Sequence, residues 1–352
     1  MSVTVERLPV QLFGLGIFGF DHLQIVFRHG LPSGTQDHWF VIEGLREPGI
    51  SGTRLAVEGW AGGTTLSDAN GGLIGRALAD KIGTSGSRGA RTIAEGRQAI
   101  TLWAKLVAYA ADIDAQRFPY IPATLPASPL PTVNSSSLVA SLLYHAEVDI
   151  MEATPNGLRF SPGTSTLLGT SGEDRLRATD RFSTLMGGYG DDVLVGNDAT
   201  GSVSKLYGGA GNDTFLWSPG INILHGGQPG LSYAEDGIDT VDYTGAGEIR
   251  IEALPRGKPH RQPDFIVHHA TGRDYLFSIE QIIWDGARDR IQLDAGVDLI
   301  LQPFTEPTSV PEDARLDAPD LRPSGLDAHG VPAGNGLFSL RGISPFNFIF
   351  GG

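Results

Sequence analysis

The sequence predicts an α+β domain followed by a strand-rich segment of stacked, glycine-turned repeats, and three observations carry that reading. Alternating apolar segments and two helical periodicities occupy roughly the first 160 residues. The 48 glycines of the 352-residue chain concentrate in its middle. There they recur in a nine-residue register. A chain of this length buries a substantial core without staples, and cysteine is absent. Disulfides, thiolate metal sites and thiol nucleophiles are therefore excluded, which leaves oxygen and nitrogen for any chemistry.

The formal charge is −14, from 40 acidic against 26 basic side chains. Nucleic acid is not expected as a partner, because neutralised phosphates supply most of such affinity. No run of about 18 apolar residues occurs, so no transmembrane helix is expected. Leu8 to Phe20 is apolar, but no basic excess precedes it and no small-residue cleavage site follows, since Asp21-His22 comes next. It reads as the opening of a domain and not as a signal peptide.

That first domain is expected over residues 1–162. Phe20–Arg28 alternates and is bounded by Gly30, Pro32 and Gly34, and Asp37–Gly44 follows, which predicts two paired strands. Arg54–Gly59 reads as a third strand and 60–90 as a loop rich in Gly, Ser and Thr. Ile100, Trp103, Ala104, Val107, Ala110 and Ala111 recur at helical spacing, predicting a helix from Arg97 to about Ile113. Prolines 119, 122, 126, 129 and 131 exclude regular structure between them. Asn134-Ser-Ser-Ser then precedes apolar Leu138–Ala146, a pattern that marks a helix N-terminus.

From 163 to 245 the repeats take over. Gly187–Val195 (GGYGDDVLV) and Gly208–Leu216 (GGAGNDTFL) both fit G-G-x-G-x-D-x-U-x, with U a large apolar residue. Gly169–Arg177 (GTSGEDRLR) is a weaker copy, and Leu185, Leu206 and Leu224 stand where the apolar positions of degenerate copies fall. A last copy opens at Gly226-Gly227, is interrupted, and recovers at Asp239–Asp242. The glycines permit tight turns, the apolar residue starts a short strand pointing into a stacked core, and the Asp points into the turn. Carboxylates and carbonyls from successive turns then lie together, an all-oxygen cage that suits Ca2+ and not Zn2+ or copper. This segment resembles the hemolysin-type calcium-binding repeat (RTX) family, which implies a parallel β-roll. By position, the resemblance implies Asp174, Asp192, Asp213 and Asp239 as metal ligands, with the carbonyls of Gly188, Gly190, Gly209 and Gly211. It also implies a secreted, extracellular protein that leaves a Gram-negative cell unfolded through a type I exporter and folds on meeting calcium.

Strand-like Ile249–Ala253, Asp264–His268 and Tyr275–Ile283 suggest a β-rich cap of the roll over 246–302. Residues 303–352 form a Pro- and Asp-rich linker with an apolar end, Phe346–Phe350, which reads either as a secretion signal or as a final strand.

The elbow G-x-S-x-G, H-E-x-x-H and a phosphate loop are all absent from the first domain. What remains is His22 on the first predicted strand, His38 opening the second, and Ser135 at a helix N-terminus. Free amides and a positive dipole end there favour an oxygen nucleophile and a nearby oxyanion, which suits acyl transfer. The order is similar to the permuted papain-like superfamily, including lecithin-retinol acyltransferase relatives, with Ser135 in the position of the Cys. The resemblance implies Ser135 as nucleophile, His22 as general base, and His38 or Glu43 orienting the imidazole. It implies an acyl ester or amide of lipid or cell-wall material as substrate. The plain alternatives are that Asn134–Ser137 is only a helix cap and His22 a structural histidine. The first domain would then be a non-enzymatic adhesion or toxin-associated module, with the roll as its folding and export device. His260, His268 and His269 read as surface residues.

Overall fold

The computed structural model describes residues 1–10, 20–29, 38–46, 54–61, 89–121, 131–155, 161, 163–227, 237–254, 263–284, 290–293, 300–303 and 338–339. Strands dominate these residues, with few helices and with extensive parallel pairing. The chain divides into two compact units, Met1–Leu125 with Thr132–Thr164 and Asp320–Gly352, and Pro126–Pro131 with Ser165–Pro319.

The first unit is built on an antiparallel sheet of β1 (Ser2–Val10), β2 (Phe20–His29), β3 (His38–Arg46), β4 (Leu55–Ala61) and β5 (Gly89–Glu95). The two-residue strand Phe338–Ser339 pairs with β4, giving the order Phe338–Ser339, β4, β3, β2, β1, β5. Sequence reading misses β1 and β5. Ser2–Val10 merges into the apolar stretch that reads as a domain opening. Gly89–Glu95 is mostly exposed or half-buried, so its residues lack the apolar alternation that signals a strand.

Helix α1 (Gly96–Ala115) follows β5 directly and buries Ala99, Trp103, Leu106, Val107, Ala110 and Ile113. These lie at the i, i+3, i+4, i+7 spacing of one helix face. Trp103 stacks on Phe27 of β2, ring centroids 5.5 Å apart. Helix α2 (Ser135–His145) buries every residue from Ser135 to Leu143 and packs on β2 and β3. A helix enclosed on all sides needs no amphipathic stripe, which is why its first turn of serines can sit in the interior once their hydroxyls are bonded. A single turn, α3 (Ile150–Ala153), is capped by the Asp149 side chain at the Met151 amide, 2.7 Å.

In the second unit, consecutive strands alternate between two sheets. One contains β6 (Thr166–Leu168), β8 (Phe182–Tyr189), β10 (Val203–Ala210), β12 (Ile221–His225) and β16 (Gly272–Phe277). The other contains β7 (Arg175–Arg177), β9 (Val193–Val195), β11 (Thr214–Leu216), β13 (Thr240–Asp242), β17 (Gln281–Trp284) and β19 (Ile300–Pro303). All neighbours among these strands pair in parallel. Leu167, Leu176, Leu185, Leu194, Leu206, Phe215, Leu224, Val241, Leu276 and Ile282 are all buried, one from each coil segment, and form the continuous core. The apolar positions read from the repeats are among them.

A hairpin interrupts the winding. β14 (Glu248–Ala253) and β15 (Phe265–His269) are antiparallel to one another, β15 pairs antiparallel with β16, and β18 (Arg290–Leu293) runs parallel to β14. The segment Tyr275–Ile283, which reads as one strand, is two. Ser278 adopts φ 51° and turns the chain from β16 in one sheet to β17 in the other.

Trp103→Ala removes the largest fully buried side chain among the described residues of the first unit. It should cost about 3–5 kcal/mol, measured as a shift in chemical denaturation. A loss below about 1 kcal/mol would show that the contact of α1 with the sheet is not the core of the unit.

Candidate functional site

Three side chains far apart in sequence meet in the first unit. His22 comes from β2, Glu43 from β3, and Ser135 from the first residue of α2. The Ser135 hydroxyl lies 2.7 Å from Nδ1 of His22, and Nε2 of His22 lies 2.9 Å from Oε2 of Glu43. All three are buried, at 5%, 8% and 1% exposure for Ser135, His22 and Glu43. A carboxylate on Nε2 places the ring proton there, so Nδ1 is the acceptor for the serine O–H. Both imidazole nitrogens are thereby engaged, and Glu43 is the group that orients the ring. His38 aligns with His29 in the β2–β3 ladder, and its side chain lies outside the described residues.

Local sequence explains how the serine is held. Asn134 is extended, and its side chain accepts from the amides of Ser136 (2.8 Å) and Ser137 (3.3 Å). The Ser137 hydroxyl closes the box from the Asn134 amide and donates to the Thr132 carbonyl. The Asn134 carbonyl takes the Leu138 amide. Of the four amides in this first turn, the cap thus consumes those of Ser136, Ser137 and Leu138, and not that of Ser135. Ser136 bonds Ser161 at 2.7 Å, and Ser161 donates to the Asp21 carbonyl beside His22. Gly44, next to Glu43, lets the helix close on the sheet: a Cβ there would sit 3.0 Å from the Ser135 Cα and 3.1 Å from Leu55.

The cap and the contact with His22 are therefore made by different residues of Asn134–Ser137. Asn134 and Ser137 make the cap, and Ser135 faces the imidazole.

In the second unit the four aspartates line one edge of the coil, where the chain passes from the first sheet to the second. Each is two residues before an inward apolar side chain. The Asp174 amide donates to Oδ1 of Asp192 at 2.8 Å, Asp192 to Asp213 at 2.8 Å, and Asp213 to Asp239 at 2.9 Å. A fourth such bond, to a fifth acid that sequence reading missed, follows: the Asp239 amide donates to Oε2 of Glu280 at 2.9 Å. Glu280 stands two residues before buried Ile282 as the aspartates do, but a longer acid replaces Asp and no paired glycines precede it.

The second carboxylate oxygens point inward onto glycines. A Cβ on Gly187, Gly208 or Gly226 would lie 2.0 Å from Oδ2 of Asp192, Asp213 or Asp239, respectively. Oδ2 of Asp192 is buried and accepts no hydrogen bond. On the weaker copy, Thr170 donates to Oδ2 of Asp174 through its amide and hydroxyl. Gly190 and Gly211 turn at φ 114° and 135° and stack so that the Gly190 carbonyl lies under the Gly211 Cα, with no room for a side chain. Gly188 lies likewise beneath Gly209. A cation would fit this donor set: it is all oxygen, it holds an unsatisfied buried carboxylate oxygen, and it is hard in character. Among the described residues no three His, Asp or Glu side chains converge on one point, so carbonyls would have to supply the remaining ligands.

His269 does not behave as the surface residue its sequence context suggests. Its side chain is fully buried, with Nε2 3.3 Å from Asp274. His268 is partly exposed beside Glu252, and His260 lies outside the described residues. Among the described residues, no helix is long and apolar enough to cross a membrane. Neither the family models, nor the curated proteins, nor the solved structures compared with this chain give a match.

Burial pushes the Asp192 carboxyl up to about 9; the Asp174 amide opposes this, and the charges of Asp174, Asp213 and Asp191 add to it. The folded coil then holds a proton that the unfolded chain releases above about pH 3.9. Stability contributed by this group is full at acid pH and is lost as the pH rises toward about 9. In chelator-treated protein the melting temperature of the second unit should fall between pH 5 and pH 9, and Asp192→Asn should flatten that slope. A melting temperature that rises over this range would refute the assignment.

Proposed function

We propose that the first unit is a serine-type acyl hydrolase or acyltransferase with a papain-like arrangement. One observation carries the reading: the continuous hydrogen-bonded chain from the Ser135 hydroxyl through His22 to Glu43. A helix cap needs no imidazole, and a structural histidine needs no serine hydroxyl on one nitrogen and a buried carboxylate on the other.

In this reading Ser135 Oγ attacks the carbonyl carbon of an acyl ester or amide as its proton passes to Nδ1 of His22. Glu43 stabilises the imidazolium and keeps the ring aligned, the role of the acid in the Ser-His-Asp template, although there Nε2 faces the serine. The Ser135 amide, which the cap leaves aside, is the donor for the oxyanion at the positive end of α2. Collapse of the tetrahedral adduct expels the alcohol or amine, which takes the proton from His22, and leaves an acyl-serine. Water, or an acceptor alcohol or amine, then attacks the acyl carbon as its proton passes to His22, and collapse of the second adduct breaks the bond to Ser135 Oγ, which recovers the proton from His22 as the acid, ester or amide leaves. Lipid or cell-wall acyl groups are the substrate class.

The second unit is favoured as a calcium-loaded β-roll by the buried, unsatisfied Oδ2 of Asp192 between neighbouring carboxylates. Asp192, Asp213 and Asp239 would hold the ions with carbonyls of the glycine turns, and Asp174 would share its charge with Thr170. Extracellular modules of this kind bind calcium with dissociation constants of roughly 0.1–1 mM. The coil would therefore be weakly stabilised where calcium is scarce and strongly where it is plentiful, which suits a protein exported through a type I pathway and folded outside the cell.

A fluorophosphonate should label the wild-type chain at Ser135 and leave Ser135→Ala unlabelled. Hydrolysis of short acyl esters should fall by on the order of 10^4-fold or more in Ser135→Ala. Glu43→Gln should lower kcat with KM nearly unchanged. Full activity of Ser135→Ala on acyl esters, with no labelling of the wild type, would leave the non-enzymatic binding module as the better reading.

A further inference from the structure

The two edges of the coil carry equivalent positions with different chemistry. On the edge described above, the residue two before each inward apolar side chain is acidic: Asp174, Asp192, Asp213, Asp239 and Glu280. On the opposite edge, where the chain returns to the first sheet, the same position before Leu185, Leu206, Leu224 and Leu276 is Ser183, Ser204, Asn222 and Asp274. The parallel register aligns these four, Ser183 with Ser204, Ser204 with Asn222, and Asn222 with Asp274. All four are buried.

Their hydrogen bonds close on themselves. Ser183 donates to the Asp180 carbonyl at 2.8 Å, and Ser204 accepts from the Asn197 amide at 3.1 Å. Asn222 donates through its backbone and side-chain amides to Oδ1 of Asp274, at 3.2 and 2.8 Å, and accepts from Ser218. Nε2 of His269 reaches that same Oδ1, and the Tyr243 hydroxyl donates to Oδ2 at 2.8 Å. Burial and the Asp274 charge hold the Tyr243 phenol protonated well above its usual range, so it remains a donor. The one carboxylate among these four positions thus has both oxygens engaged by protein donors. On the acidic edge, by contrast, Asp192 keeps a buried oxygen unsatisfied.

We propose that divalent cations bind along one edge of the coil alone, with Glu280 as the closing ligand of that row, and that the edge from Ser183 to Asp274 is a cation-free seam. This rests on the calcium reading of the second unit and adds to it a ligand and a limit on where ions sit. Where the repeats keep their acids, like charges are stacked and need a counter-ion. Where Ser, Ser and Asn replace them, direct hydrogen bonds take over and no net charge accumulates.

The test is equilibrium dialysis of the full chain against radioactive calcium, paired with thermal melts in calcium and in chelator. Glu280→Gln should lower the number of ions bound per chain and shrink the calcium-induced rise in melting temperature. Asp274→Asn and Tyr243→Phe should lower the melting temperature by the same amount in calcium and in chelator, with the bound ion number unchanged. Loss of bound calcium in Asp274→Asn or Tyr243→Phe, or an unchanged ion number in Glu280→Gln, would overturn the one-edge assignment while leaving calcium binding intact. A wild-type chain that binds no calcium and melts identically in both buffers would instead overturn the calcium reading, and this assignment with it.

Discussion

The backbone amide that each coil donates to the carboxylate of the next is the interaction on which the second unit depends. It fixes the register of one turn against its neighbour through a single carboxyl oxygen of each acid. The arrangement also creates the difficulty that shapes the surrounding sequence. Acids repeated at one height on one edge lose hydration and, to a smaller extent, raise each other's energy, and both effects push the Asp192 carboxyl up. The glycines at 187, 208 and 226 follow from the same demand, since the inner carboxylate oxygen occupies the space a side chain would need.

A comparable economy governs the serine site. His22 and Glu43 lie on adjacent antiparallel strands, so the sheet sets their separation without help from loops. Ser135 is set by a different rule. Its height is fixed by the Asn134 cap, and its approach to the sheet by the missing side chain of Gly44. The three groups are carried by two strands and a helix whose mutual packing is apolar, with Leu138 of α2 and Leu55 of β4 both against Gly44. Sites supported on rigid elements hold their geometry better than sites on loops.

Much of this was legible from residues alone. The stripe from Ile100 to Ala111 specifies α1 because its spacing has one solution, and Asn134 marks the start of α2 because its side chain competes for amides only a helix N-terminus leaves open. The repeats disclosed both the acid and the core positions, since each must fall at a fixed offset from the glycines. Other features were not visible. Choosing between His38 and Glu43 requires knowing which side chain reaches the second imidazole nitrogen across a ladder, and no local pattern records that. Glu280 departs from the repeat in both acid and turn. Ser278 gives no composition signal for the bend that splits 275–283 between two sheets, and His269 looks solvated until Asp274 is found beside it.

The hairpin of β14 and β15 shows what kind of ruler the coil uses. Successive rungs are separated by 18, 21, 26 and 41 residues, yet the bond between them stays at 2.8 to 2.9 Å. Spatial pitch is thereby decoupled from genetic distance. Material added between rungs is extruded sideways, at an entropic penalty that grows only with the logarithm of its length, and the stack continues as though nothing had been inserted. Such an architecture can acquire new surface decorations one segment at a time without renegotiating its interior.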